Sequence, residues 1–271
     1  MTVAEGTVVR VRVPATSANL GPGFDTLGIA LAYYDDLEVT ALKPGKISVS
    51  VSGEGEGQVP LDENHLVVRA ILETFKRVKQ QAPGLSLAAV NRIPHGRGLG
   101  SSGAAVVSGI MAAKGLLKGI VEISDKLMLD LATEFENHPD NVAPALFGGL
   151  SIAWEDQQGP HTKKLSVHRG VSPLVLVPST KMSTELARSM QPESVPHADA
   201  VFNVSRSALL VAAMVSSPEL LLAATEDKLH QNYRAQAMPE TDQLIQLLRS
   251  NGHAAVLSGA GPSVLVLASD P

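Results

Sequence analysis

The sequence predicts an α+β protein with two domains, divided into residues 1–155 and 156–271. Strand-like and helix-like segments are mixed along the chain, without the regular βα alternation of a doubly wound fold. The chain has 271 residues, of which 44% are hydrophobic, so it can bury one large core or two modest ones. Aromatic residues make up only 3%, and the core must therefore consist mainly of aliphatic side chains and alanine.

In the first half, apolar patterning predicts strands over 7–13, 29–42, 46–51 and 85–90. The first two strands are separated by a loop, 14–28, whose two prolines and three glycines give it a defined shape. Helices are predicted over 63–81, from residue 101 onwards, and from the N-cap candidate Ser124 to about Phe135. Residues 136–150 are expected to form a turn bounded by proline and glycine.

The second half is expected to contain strands over 151–154, 165–168, 174–177, 254–257 and 263–268. Helices are predicted over 183–190, 198–215, 218–228 and 240–251. The most apolar long window, 208–225, is interrupted by two serines, a proline and a glutamate. It therefore predicts a pair of soluble helices and no membrane span.

Composition excludes several classes of function. The net charge is −5 without a strongly basic block, so nucleic-acid binding through phosphate neutralisation is not expected. The absence of cysteine rules out disulfides, thiolate metal sites and a cysteine nucleophile. The N-terminal residues lack the apolar core of a signal peptide, which predicts a cytoplasmic location.

The segment Pro94–Ser102, PHGRGLGSS, is the strongest candidate for ligand binding. Three glycines lead into a predicted helix, whose unpaired N–H groups and positive dipole end favour an anion. The segment lacks the pattern of a P-loop, a dinucleotide fingerprint or a nucleophile elbow. It therefore predicts a phosphate-binding loop of another type. By itself it is equally consistent with a serine-capped helix entered through a flexible turn.

Several polar residues elsewhere have both a functional and a purely structural interpretation. Asn19 and Asp25 can hold a substrate or make local turn hydrogen bonds. Glu134 and the Ser102 hydroxyl are oxygen ligands suited to Mg²⁺, whereas Glu136 is expected to be a solvated residue at a helix end. His138 has no second histidine at ligand spacing, so a zinc site is not expected.

Arg188 and Arg234 are single arginines in helical contexts, and they are either surface charges or bidentate ligands for a carboxylate. The SGAGP sequence at 258–262 is either a tight connection between strands or a turn that closes over a ligand.

Together these segments resemble the GHMP small-molecule kinase superfamily, which shares a PxxxGLGSS-type loop. Three stretches resemble the homoserine kinase family within it: VPATSANLGPGFDTLGIAL from Val13, HPDNVAPALFGG from His138 and LSGAGPSVL from Leu257. The resemblance implies a first domain with a left-handed βαβ crossover and a ferredoxin-like second domain. The family usually continues through a further helix and strand beyond Asp270-Pro271, so we expect a shortened second domain.

The resemblance also implies ATP-dependent phosphorylation of the side-chain hydroxyl of L-homoserine, on the route to threonine. It implies Mg²⁺ held by Ser102 and Glu134, and it is compatible with a homodimer. The implied homoserine-binding residues are Asn19, Asp25, His138, Asn141, Arg188 and Arg234, and the implied catalytic residues are Asp25, Asn141 and Thr184. The implied ATP-binding residues are Asn64, Pro94, His95, Gly96, Arg97, Gly98, Leu99, Gly100, Ser101, Ser102, Gly103 and Ala104.

Catalysis by positioning is expected, with Asp25 aiming the attacking hydroxyl. Relatives such as mevalonate kinase carry a lysine in the first loop and an aspartate in the later segment. The corresponding positions here are Thr16 or Ser17, and Thr184, none of which is a strong base. Two alternatives are a kinase for another alcohol, such as mevalonate or a sugar, and an inactive relative that only binds ATP or a metabolite.

Overall fold

The computed structural model describes residues 2–269, in an α+β architecture as predicted. The strands are β1 (Val8–Ala18), β2 (Leu27–Leu42), β3 (Ile47–Gly53), β4 (Gly84–Asn91), β5 (Leu150–Asp156), β6 (Gly159–Leu165), β7 (Val171–Leu176), β8 (Ala254–Leu257) and β9 (Val264–Ser269). The α-helices are α1 (Leu66–Arg77), α2 (Ser101–Leu116), α3 (Asp125–Glu136), α4 (Pro139–Phe147), α5 (Thr184–Ser189), α6 (His197–Val215), α7 (Leu221–Ala224), α8 (Gln231–Arg234) and α9 (Pro239–Ser250). The structure also contains 3₁₀ turns at Pro218–Leu220 and Ala235–Ala237.

The first six strands form one sheet in the order β3-β4-β2-β5-β6, with β1 paired to the other edge of β2. The β3 and β4 strands run parallel and are joined through α1, whereas the other pairs in this sheet are antiparallel. The aliphatic core predicted from composition is present: Val39, Leu85 and Leu87 of the sheet are buried with Ile71 and Ile110 of the helices.

A second, antiparallel sheet has the order β7-β9-β8. The strands β8 and β9 are almost entirely buried, which explains their continuous apolar sequences. The β8–β9 connection is the predicted SGAGP turn at 258–262, and this turn packs against the first half of the chain.

Most predicted elements are present, with several differences. The predicted loop 14–28 is shorter, because β1 continues to Ala18 and β2 begins at Leu27. The helix predicted over 218–228 is a 3₁₀ turn followed by the short α7, and α8 was not predicted. Residues 136–150, predicted to be a turn, contain helix α4, which begins at Pro139, a favourable first helical position. The strand expected at 165–168 is wrong, because β6 ends at Leu165 after forming a hairpin with β5.

The domain division at 155/156 falls inside that hairpin. We propose instead a division within residues 166–170, after which the chain enters the second sheet. The expectation about the C-terminal end concerns Asp270-Pro271, which lie outside the described residues.

Helix α6 is long and apolar enough to cross a membrane by length and composition, with a mean hydropathy of 1.4. One such helix is weak evidence for a span, because core helices of soluble proteins meet the same criteria. Its inner face packs into the core through Leu210, Ala213 and Met214, although only 22% of the window is buried.

Candidate active site

A cleft of about 630 Å³ lies between the glycine loop, 94–102, and the elements that carry the predicted acceptor residues. The predicted site residues in its lining are Asn19, Asp25, Gly96, Gly98, Leu99, Gly100, Ser101, Ser102, His138, Asn141, Thr184, Arg188 and Arg234. Residues that are up to 215 positions apart in the sequence therefore line one cavity.

The glycine loop has a backbone conformation that requires its three glycines. Gly96, Gly98 and Gly100 have φ values of +66°, +71° and +66°, a region that strongly favours glycine. A Cβ on Gly98 would overlap with the Ser258 carbonyl oxygen, and one on Gly100 would overlap with Thr16 Oγ1. Helix α2 has Gly100 as its N-cap and no side-chain cap, so the serine-capped alternative is not what the structure shows. Ser101 and Ser102 of its first turn line the cleft, and the first N–H groups of an α-helix have no partner within the helix.

The prediction that Glu134 faces Ser102 is wrong. Glu134 lies on the outer side of α3, where its carboxylate forms two hydrogen bonds with Arg77, at 2.6 and 3.1 Å. Glu136, which was expected to be solvated, accepts a 2.5 Å hydrogen bond from Ser102 Oγ and lines the cleft. The hydroxyl and carboxylate oxygens that were expected from Ser102 and Glu134 are therefore brought together by Ser102 and Glu136.

Asp25 and Arg188 form an ion pair inside the cleft. The Arg188 guanidinium donates to both Asp25 carboxylate oxygens, at 2.8 and 3.2 Å, and both side chains remain more than one-third exposed. Asp25 has φ +53° and its backbone N–H donates to Asn19 Oδ1 at 3.0 Å. Asn19 Nδ2 also donates to the Gly259 carbonyl, so Asn19 ties two loops together. Direct contact between Asn19 and a substrate stays a prediction.

Arg234 is buried in the wall of the cleft. Its guanidinium donates to the carbonyl oxygens of Gly259 and Ala187, at 3.1 and 3.3 Å, and lies over the Phe24 ring. Burial lowers the pKa of Arg234, while the negative charge of Asp25 opposes this effect. The surface-charge interpretation of Arg234 is therefore wrong.

The N-terminus of α4 brings three polar side chains into the cleft. His138 Nδ1 lies 2.6 Å from Asp140 Oδ1, with little of either side chain exposed. Burial lowers the pKa of His138, but the hydrogen bond and charge of Asp140 outweigh it, so the pKa lies above its ordinary value. Asn141 Oδ1 accepts a 2.9 Å hydrogen bond from Thr16 Oγ1. Asp140 was not among the predicted site residues.

A second, more apolar pocket of about 320 Å³ shares Ser101 and Ser102 with the cleft. It contains the predicted Asn64 and His95. It also contains His65, whose buried Nδ1 has no hydrogen-bond partner among residues 2–269 and whose pKa is lowered by burial. His65 was missed because nothing in its local sequence marks it as functional.

Three predicted ATP-binding residues, Pro94, Arg97 and Gly103, line neither cavity. The Arg97 side chain donates to the Pro178 and Ser179 carbonyls, at 2.8 and 2.6 Å, and so does not point at a phosphate position. Pro94 belongs to the loop, and Gly103 and Ala104 belong to the first turn of α2; of these three residues, only Ala104 lines the second pocket. The 258–262 turn lines the cleft through Gly259, Ala260 and Gly261, as one of its two interpretations predicted. Ser258 Oγ donates to the Gly98 carbonyl at 2.6 Å and ties this turn to the glycine loop.

Comparison with known proteins agrees with this geometry. The family model of the GHMP kinases N terminal domain matches residues 65–149, and that of the GHMP kinases C terminal domain matches residues 208–271.

The curated relatives include two similar homoserine kinases. That of Clavibacter michiganensis subsp. michiganensis is 71% identical over 99% of this chain and 85% of the relative. That of Streptomyces coelicolor is 50% identical over 96% of this chain and 84% of the relative.

A crystal structure of homoserine kinase from Cytophaga hutchinsonii superimposes with a TM-score of 0.85 and 27% identity, covering 100% of this chain and 87% of that chain. The chain therefore belongs to the GHMP kinase superfamily and, within it, to the homoserine kinase family.

Proposed function

We propose that this chain transfers the γ-phosphoryl group of ATP to the side-chain hydroxyl of L-homoserine, giving O-phospho-L-homoserine for threonine biosynthesis. Family membership supports the overall reaction. One observation connects it to these residues: the Asp25–Arg188 pair and the glycine loop line the same cleft. A pair of opposite charges matches the ammonium and carboxylate groups of a free amino acid.

ATP is proposed to occupy both cavities. The triphosphate lies at the first N–H groups of α2, where the helix dipole and unpaired donors favour negative charge. The adenosine lies in the 320 Å³ pocket, which is lined by apolar residues together with polar ones that include Asp35, Asp36, Asn64 and His65. The unpartnered His65 Nδ1 then gains a partner on the purine, because a buried polar atom without one is costly.

Ser102 and Glu136 fit a magnesium ion. Mg²⁺ usually takes one or two protein oxygens and completes its coordination with phosphate oxygens and waters. The ion would neutralise negative charge on the phosphates.

L-Homoserine is proposed to insert between Asp25 and Arg188. Because Asp25 faces Arg188, we assign it to the ammonium group, and Arg188 with Arg234 to the carboxylate. Asn141, His138 and Thr184 line the remaining wall and orient the hydroxyl. The hydroxyl oxygen attacks the γ-phosphorus, the bond to the β–γ bridging oxygen breaks, ADP leaves, and the hydroxyl proton passes to phosphate or solvent.

Release of ADP from a panel of L-homoserine, mevalonate and galactose, with ATP and Mg²⁺, tests the proposed function. We expect turnover with homoserine and negligible turnover with the other two alcohols. No turnover on any of them, alongside tight nucleotide binding, would favour an inactive binding protein. Faster turnover of mevalonate or galactose would identify a kinase for another alcohol.

Replacing Asp25 with Asn is expected to raise the KM for homoserine about 10- to 100-fold, because a charge-assisted hydrogen bond to the ammonium is lost. Measurable kcat should remain, because Asp25 positions the substrate and is not an obligate base. Steady-state kinetics with varied homoserine would show this split. Asp156→Asn removes an exposed aspartate that pairs with His161 outside the cleft, and it should leave both constants unchanged. A near-complete loss of kcat in Asp25→Asn would instead make Asp25 the general base.

Replacing His65 with Leu is expected to raise the KM for ATP about tenfold while leaving the KM for homoserine within twofold, since one base-recognising hydrogen bond is lost. The exposed His253 provides the matched control, His253→Leu. An unchanged KM for ATP would place the adenine elsewhere.

A further inference from the structure

A buried polar cluster outside the reacting part of the cleft joins the second half of the chain to the N-terminal loop, 19–26. At its centre is His230, which immediately precedes α8 and whose side chain is fully buried. The proposed mechanism uses neither the His230 imidazole nor the neighbouring Asp227 carboxylate.

Three side-chain contacts connect His230 with the candidate acceptor site. His230 Nε2 donates to the Gly21 carbonyl at 2.7 Å. Its ring stacks on Phe24, with centroids 5.1 Å apart and an interplanar angle of 22°. Its Nδ1 lies 3.4 Å from Arg234 Nη1. A neutral imidazole with its proton on Nε2 satisfies both nitrogen contacts, and burial lowers the pKa of His230, which favours that form.

The backbone around His230 is fixed by a second set of hydrogen bonds. The Asp227 carboxylate accepts from the N–H groups of Leu229, His230 and Gln231, at 2.8 to 3.1 Å. Asn203 of α6 donates both to Asp227 and to the Pro22 carbonyl, each at 3.1 Å. The imidazole is therefore held rigidly, while two consecutive carbonyls of the N-terminal loop accept hydrogen bonds from this cluster.

Phe24 connects His230 with the charged residues Asp25 and Arg234. Its ring packs against both the His230 ring and the Arg234 guanidinium, whose central carbon is 5.3 Å from the Phe24 centroid. Phe24 directly precedes Asp25, which pairs with Arg188. The His230 imidazole thus contacts the loop that carries Asp25, and it also contacts Arg234.

We propose that His230 is a positioning residue for the amino-acid acceptor: by hydrogen bonding to Gly21, stacking on Phe24 and contacting Arg234, it sets the separation of the groups that bind the ammonium and carboxylate. This inference rests on the proposed function. It concerns the acceptor half alone, because the residues that His230 contacts, Gly21, Phe24 and Arg234, belong to neither the glycine loop nor the second pocket.

Two variants separate the hydrogen bond from mere packing. His230→Leu removes the donor and leaves the buried Gly21 carbonyl without it, whereas His230→Gln keeps an N–H group at a similar distance from Cα. We expect the Leu variant to raise the KM for homoserine about tenfold, with the KM for ATP within twofold of the wild type. The Gln variant should recover most of the loss.

Thr74→Val is the matched control. Thr74 is fully buried in α1 and donates to the Ala70 carbonyl at 2.7 Å, far from the acceptor residues. This substitution also removes a buried hydrogen bond and should leave both KM values unchanged. Equal changes in the two KM values of His230→Leu, no change in either, or no recovery in the Gln variant would overturn the proposal.

Amide hydrogen exchange of residues 19–27 without substrates gives a readout that does not depend on activity. His230→Leu should accelerate exchange in this segment, and Thr74→Val should not. If the wild type fails to phosphorylate homoserine, the proposed function is wrong, and exchange alone decides the role of His230. Unchanged exchange in His230→Leu would then overturn that role.

Discussion

Replacing Glu136 with Gln should lower kcat about 100-fold, an effect typical of removing one electrostatic group from a transition-state site. Glu136 accepts a hydrogen bond from Ser102 in the cleft, and its carboxylate is the negative oxygen ligand proposed for Mg²⁺. The neutral amide is a weaker ligand, so the Mg²⁺ concentration needed for half-maximal rate should also rise. Initial rates at saturating homoserine and varied Mg²⁺ measure both effects.

Glu134→Gln is the control for that experiment, since it removes a carboxylate two residues away on the same helix. Its ion pair with Arg77 is partly exposed, and such pairs contribute only about 0–1 kcal/mol to stability. We therefore expect nearly normal kcat and at most a small decrease in Tm. A large loss of activity in Glu134→Gln, with normal activity in Glu136→Gln, would restore the original prediction about Glu134.

A Gly98→Ala substitution should raise the KM for ATP by about two orders of magnitude, because two costs coincide. The φ of +71° disfavours any residue with a Cβ by about 1–2 kcal/mol. The new methyl group would also overlap with the Ser258 carbonyl oxygen, and this contact cannot be relieved by rotating a side chain. The glycine loop must therefore move. This movement would displace the N–H groups that are proposed to bind the triphosphate.

Gly119→Ala is a control that introduces the backbone strain of a positive φ without the steric clash expected in Gly98→Ala. Gly119 has φ +81°, but apart from its chain neighbours no atom of the described residues lies within 4 Å of its Cβ position, so this variant should lose stability and keep its KM for ATP. Ser258→Ala removes the 2.6 Å hydrogen bond to the Gly98 carbonyl without strain, and it should raise the KM about tenfold. If neither Gly98→Ala nor Ser258→Ala alters nucleotide binding, the loop is not the phosphate site.

Much of the local structure could be predicted because short-range signals specify it. Ser124 was expected to cap α3, and its Oγ accepts the Leu127 N–H at 3.2 Å. The long apolar strand β2 was predicted within two residues of its observed start, and it ends at the predicted Leu42. Helix α4 was missed because its two prolines and the following glycines suggest a turn, although Pro139 occupies the first helical position, where proline is favourable.

The exchange of Glu134 for Glu136 shows why side-chain placement could not be predicted. Residues two apart on an α-helix point about 200° from each other, so only one of the two glutamates can face Ser102. Which one does so depends on the rotation of α3 against α2, and tertiary packing sets that rotation. Both glutamates have the same chemistry and similar local sequence.

The sequence by itself determined the α+β class, most strands and helices, the glycine loop and the types of residue in the site. The tertiary structure decided which of these residues meet: Asp25 with Arg188, Asn19 with Gly259, and His230 with Gly21. Each pair is separated by more than 150 residues, and the 258–262 turn fits only because Gly98 lacks a Cβ. Local sequence patterns report on neighbours along the chain, whereas these contacts depend on how the two sheets and their helices pack together.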